Sequence, residues 1–136
     1  MVRPIMHDPM FLSQPSEPAT RADKNVITDL VDTLRANTDV CVGMAANMIG
    51  VRKQIIVISM GGMIVPMVNP VIERQEQPYT AEEGCLSLAG VRSTKRYHQI
   101  EVSFQDADFQ PRRMTYTGWI AQIIQHEVDH CRGILI

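Results

Sequence analysis

Two histidines, His126 and His130, stand four residues apart and frame a glutamate, Glu127, in the pattern H-E-x-x-H. On a helix, residues four apart lie one turn apart on the same face, so both imidazoles can reach one metal ion. Glu127 is then offset by about 100° around the helix. This offset places its carboxylate beside a water next to the metal, where a general base belongs. The spacing therefore predicts metal-assisted hydrolysis.

The residues around these histidines predict the helix itself. The run from Trp119 to Cys131 is largely apolar and contains no proline, with Thr117 as a candidate N-cap and Gly133 as a candidate stop. Two neighbouring stripes follow helical spacing: Trp119, Ile123, His126 and His130 form the first, and Ile120, Ile124, Val128 and Cys131 form the second. We therefore expect a water-poor metal site on this helix. A chance match to a short pattern is the alternative.

A third ligand is needed, because a catalytic metal of this type usually takes three protein ligands and a water. Residues 132–136 offer none, whereas common metalloproteases take the third ligand from downstream, so we expect it upstream. Cys85 is the strongest candidate, since a thiolate suits a soft or borderline metal. Spacing alone leaves Cys41, His98 and His7 as alternatives.

Three segments, in this order, resemble the motifs of the peptide deformylase family. They read C-V-G-M-A-A-N-M-I-G at 41–50, E-G-C-L-S at 83–87 and H-E-V-D-H at 126–130. The resemblance implies that Cys85, His126 and His130 bind one divalent metal ion, iron(II) or else zinc or nickel. It also implies that residues 41–50 form one wall of the substrate cleft, whereas composition alone favours a tight turn there.

The resemblance further implies an enzyme that removes the formyl group from N-formylmethionyl peptides or nascent chains. Glu127 would be the base, and the backbone N–H of Leu86 would donate to the oxyanion. The family's second donor is a glutamine side chain, and Met48 occupies that position here. A thioether donates no hydrogen bond, so we expect weakened catalysis. A metal-binding, deformylase-like protein that binds peptide N-termini without useful turnover is the alternative.

Substrate contacts are expected on both sides of the metal. Trp119 and Ile123 precede His126 on the metal-facing stripe, and Met44 lies in the glycine-rich wall. Together they predict an apolar slot for the methionine side chain, with ordinary core packing as the alternative. Gly43 and Glu83, which belong to the two upstream motifs, are also expected to bind substrate.

The elements that must position these motifs indicate an α+β fold. Apolar periodicity predicts a helix at about 21–36 and strands at 54–59, 63–68 and 71–74, with a break at Asn69-Pro70. Alternation predicts a hairpin from 100–104 to 112–116. Four prolines in residues 1–18 predict an extended arm without regular helix. The resemblance implies the same architecture, with short, mostly antiparallel strands around a C-terminal helix that carries H-E-x-x-H.

Length and composition exclude several classes of protein. At 136 residues, we expect one domain over 1–136. A formal charge of −2 and a pI near 6.0 give no basis for binding nucleic acid or anionic membranes. No apolar run approaches the roughly 20 residues of a membrane span, and early prolines and charges argue against a signal peptide. Three cysteines, an odd number, predict a reducing compartment, hence the cytoplasm.

Overall fold

The sheet at the centre of the molecule has five strands in the order β1-β2-β3-β4-β5, and every pairing is antiparallel. The computed structural model describes residues 1–136. The strands are β1 (Gly43–Ala45), β2 (Ile55–Met60), β3 (Met63–Gly84), β4 (Val91–Gln105) and β5 (Pro111–Thr117). The helices are α1 (Pro9–Leu12), α2 (Lys24–Arg35) and α3 (Gly118–Cys131). The α+β prediction is confirmed.

Strand β2 forms the middle of the hydrophobic core. Its residues Ile55, Ile56, Val57 and Ile58 are all fully buried. Successive side chains of a strand point to opposite faces, so both faces of β2 are covered, and helices α2 and α3 both pack against it. Helix α3 also contacts β1 and β4. The helix that carries the two histidines therefore lies across the sheet and is largely excluded from water.

Strand β3 is one continuous strand, where the sequence predicted two short strands with a break between them. It runs for 22 residues, and register shifts between Val68/Val71 and Ile72/Arg74 replace the break. Asn69 has a φ of 51°, a left-handed conformation that asparagine tolerates. Its side chain accepts the N–H of Ala19 at 2.8 Å and donates to the carbonyl of Ala19 at 3.0 Å. These two bonds hold the bulge while the strand continues past it.

Strand β4 also extends well beyond the predicted segment, since it begins at Val91 rather than near residue 100. Most residues from 73 to 80 of its partner β3 are exposed, so both faces of that part of the ribbon are polar. Apolar alternation, the usual signal of a strand, is therefore missing there. The sheet consequently contains two long strands rather than short ones alone.

The N-terminal arm lies over the domain, although it contains one helical turn that the proline content had argued against. Pro9 is the first residue of α1, where its missing N–H is not required. The carboxylate of Asp8 accepts the N–H of Met10 at 3.0 Å and caps this turn. Leu12 is fully buried and docks the arm.

The predicted helix at 21–36 divides into a 3-10 turn (Arg21–Asp23) followed by α2. Helix α3 begins after Thr117, which is its N-cap residue as predicted, although the Thr117 side chain makes no capping hydrogen bond. The stop at Gly133 is confirmed: its φ is +75°, and a Cβ there would lie 2.4 Å from the carbonyl oxygen of Ser13. None of the helices has the length and apolar character required to span a bilayer.

Candidate metal centre

Helix α3 directs His126 and His130 to one point. Their Nε2 atoms are 3.2 Å apart, and the Sγ atom of Cys85 lies 3.3 Å from His130 Nε2. All three ligand atoms lie within 4.8 Å of one another. Two imidazoles and a thiol form a donor set suited to zinc or a similar divalent ion with one position left open.

The other residues considered as third ligands do not join this group. His98 stacks on Tyr79, with ring centroids 4.0 Å apart. The Nδ1 atom of His7 lies 3.0 Å from the backbone carbonyl of Ser87. The thiol of Cys41 donates to a nearby backbone carbonyl. The tertiary structure thus brings Cys85, and not these three, beside the paired histidines.

A buried ion-pair network holds His126 in place. The Oε1 atom of Glu83 lies 2.8 Å from His126 Nδ1, and Arg96 donates to both oxygens of Glu83 at 2.7 and 2.9 Å. Arg96 also donates to Asp129 at 2.7 Å, which ties the network to α3. Glu83 lines the cavity, yet both of its carboxylate oxygens are engaged by protein. Sequence analysis expected Glu83 to bind substrate, whereas its contacts in the structure orient His126.

The neighbours of His126 favour its charged form. Burial alone would lower the pKa of His126, but Cys85 and Glu83 outweigh burial and raise this pKa to about 10. Burial would raise the pKa of Glu83, but His126 and Arg96 lower it to about 2. For His130, burial lowers the pKa to about 3, so its imidazole is neutral and can donate a lone pair.

Glu127 follows His126 directly in α3 and is almost completely buried, with 4 % exposure. Its Oε1 atom has no hydrogen-bond partner in the protein. Burial raises its pKa to about 7, and a general base is most effective when its pKa lies near the working pH. On the opposite side, Gly43 leaves the carboxylate room: a Cβ there would lie 3.0 Å from Glu127 Oε2 and 2.7 Å from Ile123 Cγ2.

The glycine-rich segment forms β1 and a 3-10 turn (Ala46–Ile49) opposite α3. The side chain of Met48 is 1 % exposed, and its Sδ atom accepts the N–H of Ala45 at 3.4 Å. Asn47, the nearest amide, donates to the carbonyl of His130 at 2.8 Å. It therefore anchors the end of α3, and Asn47 does not line the cavity beside these groups.

A cavity of about 670 Å³ opens beside these groups. Its walls include Gly43, Met48, Leu86, Trp119 and Ile123. The backbone N–H of Leu86 takes no part in the backbone hydrogen bonds of the turns and loops. Trp119 is 60 % exposed, whereas Met44 is fully buried in the core and does not line the cavity. The expected slot therefore has Trp119 and Ile123 on one side but lacks Met44, which faces the core.

Sequence analysis missed Arg96 and Gln122, whose side chains both donate hydrogen bonds to Glu83. Arg96 lies in the polar part of β4, and its backbone position faces Tyr79 of β3. One signal was available: Glu83 and Asp129 both stand beside predicted ligands in water-poor segments. Buried carboxylates require a cationic or hydrogen-bonding partner, so a buried arginine could have been anticipated, although not its position.

A model of the family described as "Polypeptide deformylase" matches residues 2–136. "Peptide deformylase" of Clostridium beijerinckii is 57 % identical over 136 residues and is covered completely, as is this chain. A "Peptide deformylase" of Thermoanaerobacter pseudethanolicus is 32 % identical, with 91 % of this chain and 79 % of that protein covered.

Two solved structures show how far the similarity extends in three dimensions. Peptide deformylase from Thermotoga maritima superposes with a TM-score of 0.89 at 29 % identity, covering 99 % of this chain and 95 % of that one. A peptide deformylase from Synechococcus elongatus in complex with actinonin gives a TM-score of 0.87 at 31 % identity. It covers 98 % of this chain and 75 % of that one.

Proposed function

The chain belongs to the peptide deformylase family, and on that premise we propose that Cys85, His126 and His130 hold one divalent metal ion beside the base Glu127. The chain is an enzyme of protein biosynthesis, a peptide deformylase. Full-length identity of 57 % to a relative of that name does not favour the alternative of a binding protein without turnover. We further propose iron(II) as the metal, with zinc or nickel able to occupy the same ligands, and the cytoplasm as the place of action.

The residues present fit such an ion. The donor atoms converge within 4.8 Å, and the carboxylate of Glu83 lies 2.8 Å from His126 Nδ1. The unpartnered Oε1 atom of Glu127 is a buried acceptor that lacks a donor in the protein, as expected for a carboxylate that binds a reacting water. When bound, the metal would acidify water and polarise the formyl carbonyl.

Glu127 moves the protons in this scheme. Its carboxylate takes a proton from the attacking water, whose oxygen forms a bond to the formyl carbon. The bond between that carbon and the peptide nitrogen then breaks, and Glu127 delivers the proton to the departing nitrogen. The products are formate and a peptide with a free amino terminus. A pKa near 7 suits Glu127 to act as base and then as acid.

The carbonyl oxygen gains negative charge during the attack and needs donors. The N–H of Leu86, beside Cys85 in the cavity wall, is proposed as one of them. The thioether of Met48 accepts a hydrogen bond in this structure and donates none. We therefore propose that this enzyme works with one fewer side-chain donor than the family motif provides.

The observation that carries the proposal is the placement of a buried, unpartnered carboxylate beside three convergent ligand atoms. The test is turnover of formyl-Met peptides by iron-loaded protein kept from oxidation. Exchange of Glu127 for alanine is expected to abolish hydrolysis while the metal content stays the same. Exchange of Cys85 for serine is expected to reduce the metal content itself.

Two results would contradict these roles. Near-normal turnover by metal-loaded Glu127→Ala would exclude Glu127 as the base. Full metal occupancy in Cys85→Ser, together with loss of metal in Cys41→Ser, would show that the wrong cysteine had been assigned. Measuring metal content in every preparation separates loss of the ion from loss of the base.

A further inference from the structure

Gln122 places an amide group in the wall of the cavity. It lies on α3 one turn before His126, and residues four apart share a face of a helix. Trp119, Ile123 and Leu86 line the same cavity. One helical turn is about 5.4 Å, comparable to the reach of a methionine side chain. Gln122 therefore lies where the end of a substrate's first side chain would come.

The amide of Gln122 is held at both ends. The hydroxyl of Tyr79 donates to its Oε1 atom at 3.0 Å, and its Nε2 atom donates to Glu83 Oε2 at 3.0 Å. An NH₂ group carries two hydrogens, and these contacts engage one of them. Because the planar amide is fixed by Tyr79 and Glu83, the direction of its second N–H is fixed as well. A preorganised donor of this kind loses little entropy when it binds an acceptor.

We propose that Gln122 is a specificity-determining residue that donates this second N–H to an acceptor in the first side chain of the substrate. The sulfur of methionine is a weak acceptor. The oxygen of methionine sulfoxide is a stronger acceptor. A purely apolar slot would disfavour this polar group. The inference rests on the proposed function and extends its substrate class to peptides that begin with formylmethionine sulfoxide.

The experiment compares three formyl-peptides that differ only in the first residue: methionine, norleucine or methionine sulfoxide. Values of kcat/KM are measured on metal-loaded wild type and on Gln122→Met, which keeps the shape and removes the amide. The methionine-to-norleucine ratio should fall about threefold, as expected for a weak hydrogen bond. The sulfoxide-to-norleucine ratio should fall at least about tenfold, because a buried acceptor would then lack a donor. Ratios within one enzyme cancel any general damage to the metal site.

Gln99→Met is the matched control. Gln99 lies on β4, and its amide contacts Glu76 at 3.5 Å, outside the cavity. Both substrate ratios should be unchanged in this variant. Tyr79→Phe is a second test that leaves the contact between Gln122 and Glu83 in place. Loss of the hydroxyl that fixes the amide should lower the sulfoxide-to-norleucine ratio about threefold.

The outcomes separate this inference from the proposed function. If the wild type turns over the peptides but both ratios are unchanged in Gln122→Met, the inference is overturned. If Gln122→Met hydrolyses none of the peptides, Tyr79→Phe decides, and unchanged ratios there overturn it. If metal-loaded wild type hydrolyses no formyl-peptide at all, the proposed function has failed first.

Discussion

Exchanging Arg96 for methionine removes the buried cation between Glu83 and Asp129. The Arg96 guanidinium makes two hydrogen bonds to Glu83 and one to Asp129, and the residue is only 3 % exposed. Methionine fills similar space but donates nothing. Glu83 would then be buried with His126 and Gln122 as its remaining partners. Breaking a buried ion pair in this way typically costs about 3–5 kcal/mol.

The lowered pKa of Glu83 gives an independent value for the free energy that this network contributes. It falls from 4.5 to about 2 on folding, which corresponds to roughly 3 kcal/mol of stability shared between Arg96 and His126. Because the folded-state pKa is lowered, this stability is present above pH 4.5 and is lost as the pH falls toward 2. Without Arg96, the pKa of Glu83 moves back toward its ordinary value of 4.5. The contribution of Glu83 to wild-type stability falls by about 1 kcal/mol between pH 7 and pH 3.5, so the stability difference between wild type and variant should shrink by about that amount.

The assay is urea unfolding of the metal-free proteins at pH 7 and pH 3.5, so that loss of the metal at low pH does not contribute. Arg113→Met is the matched control, because Arg113 pairs with Glu101 on the exposed face of β5. An exposed pair is worth at most about 1 kcal/mol. Equal losses of stability in Arg96→Met and Arg113→Met, or a difference that does not change with pH, would refute this account of the network.

Three further predictions concern the glycine-rich segment and the cysteines. Met48→Gln should raise kcat by up to about 100-fold without changing metal affinity. The amide oxygen can accept the N–H of Ala45 that the thioether now accepts, and the NH₂ group can donate to the oxyanion. An unchanged kcat would show that another donor already acts. Gly43→Ala should lower kcat on the order of 100-fold with the metal content retained, because the new methyl group displaces the carboxylate of Glu127. A normal kcat would mean that catalysis tolerates this displacement. Burial, with a contribution from Glu127, raises the pKa of Cys41 to about 12, and burial likewise raises that of Cys131 to about 12. At pH 8 both thiols should therefore react with iodoacetamide on the order of 30-fold more slowly than an ordinary thiol. Mass spectrometry of the labelled peptides measures these rates, and rapid labelling would contradict the prediction.

The sequence by itself determined the features that depend on local backbone geometry. The period of a helix places His126 and His130 on one face wherever that helix packs, and the apolar stripe beside them directs the helix to the core. The same holds for β2, whose continuous apolar run predicted a strand, and the structure buries that run completely. Glycine at residue 133 stopped α3 for an equally local reason, its positive φ.

Only the tertiary structure decided which distant groups meet the histidines. Cys85 is separated from His130 by 45 positions in the chain, and spacing alone could not choose it over Cys41. The register of β3 and β4 places Glu83 opposite Arg92 and Tyr79 opposite Arg96, on the same face of the ribbon. That face meets α3, so Glu83, Arg96 and Gln122 converge beside the candidate metal centre.

The individual roles of Glu83, Met44 and Asn47 were also beyond the sequence. Each lies in a motif that predicted a site. In the structure, however, the carboxylate of Glu83 contacts His126, and the amide of Asn47 donates to the backbone of α3. Met44 points into the core although its neighbour Gly43 lines the cavity. Neighbouring residues of a strand face opposite sides, and only the packing of the sheet against α3 determines which side becomes the cavity.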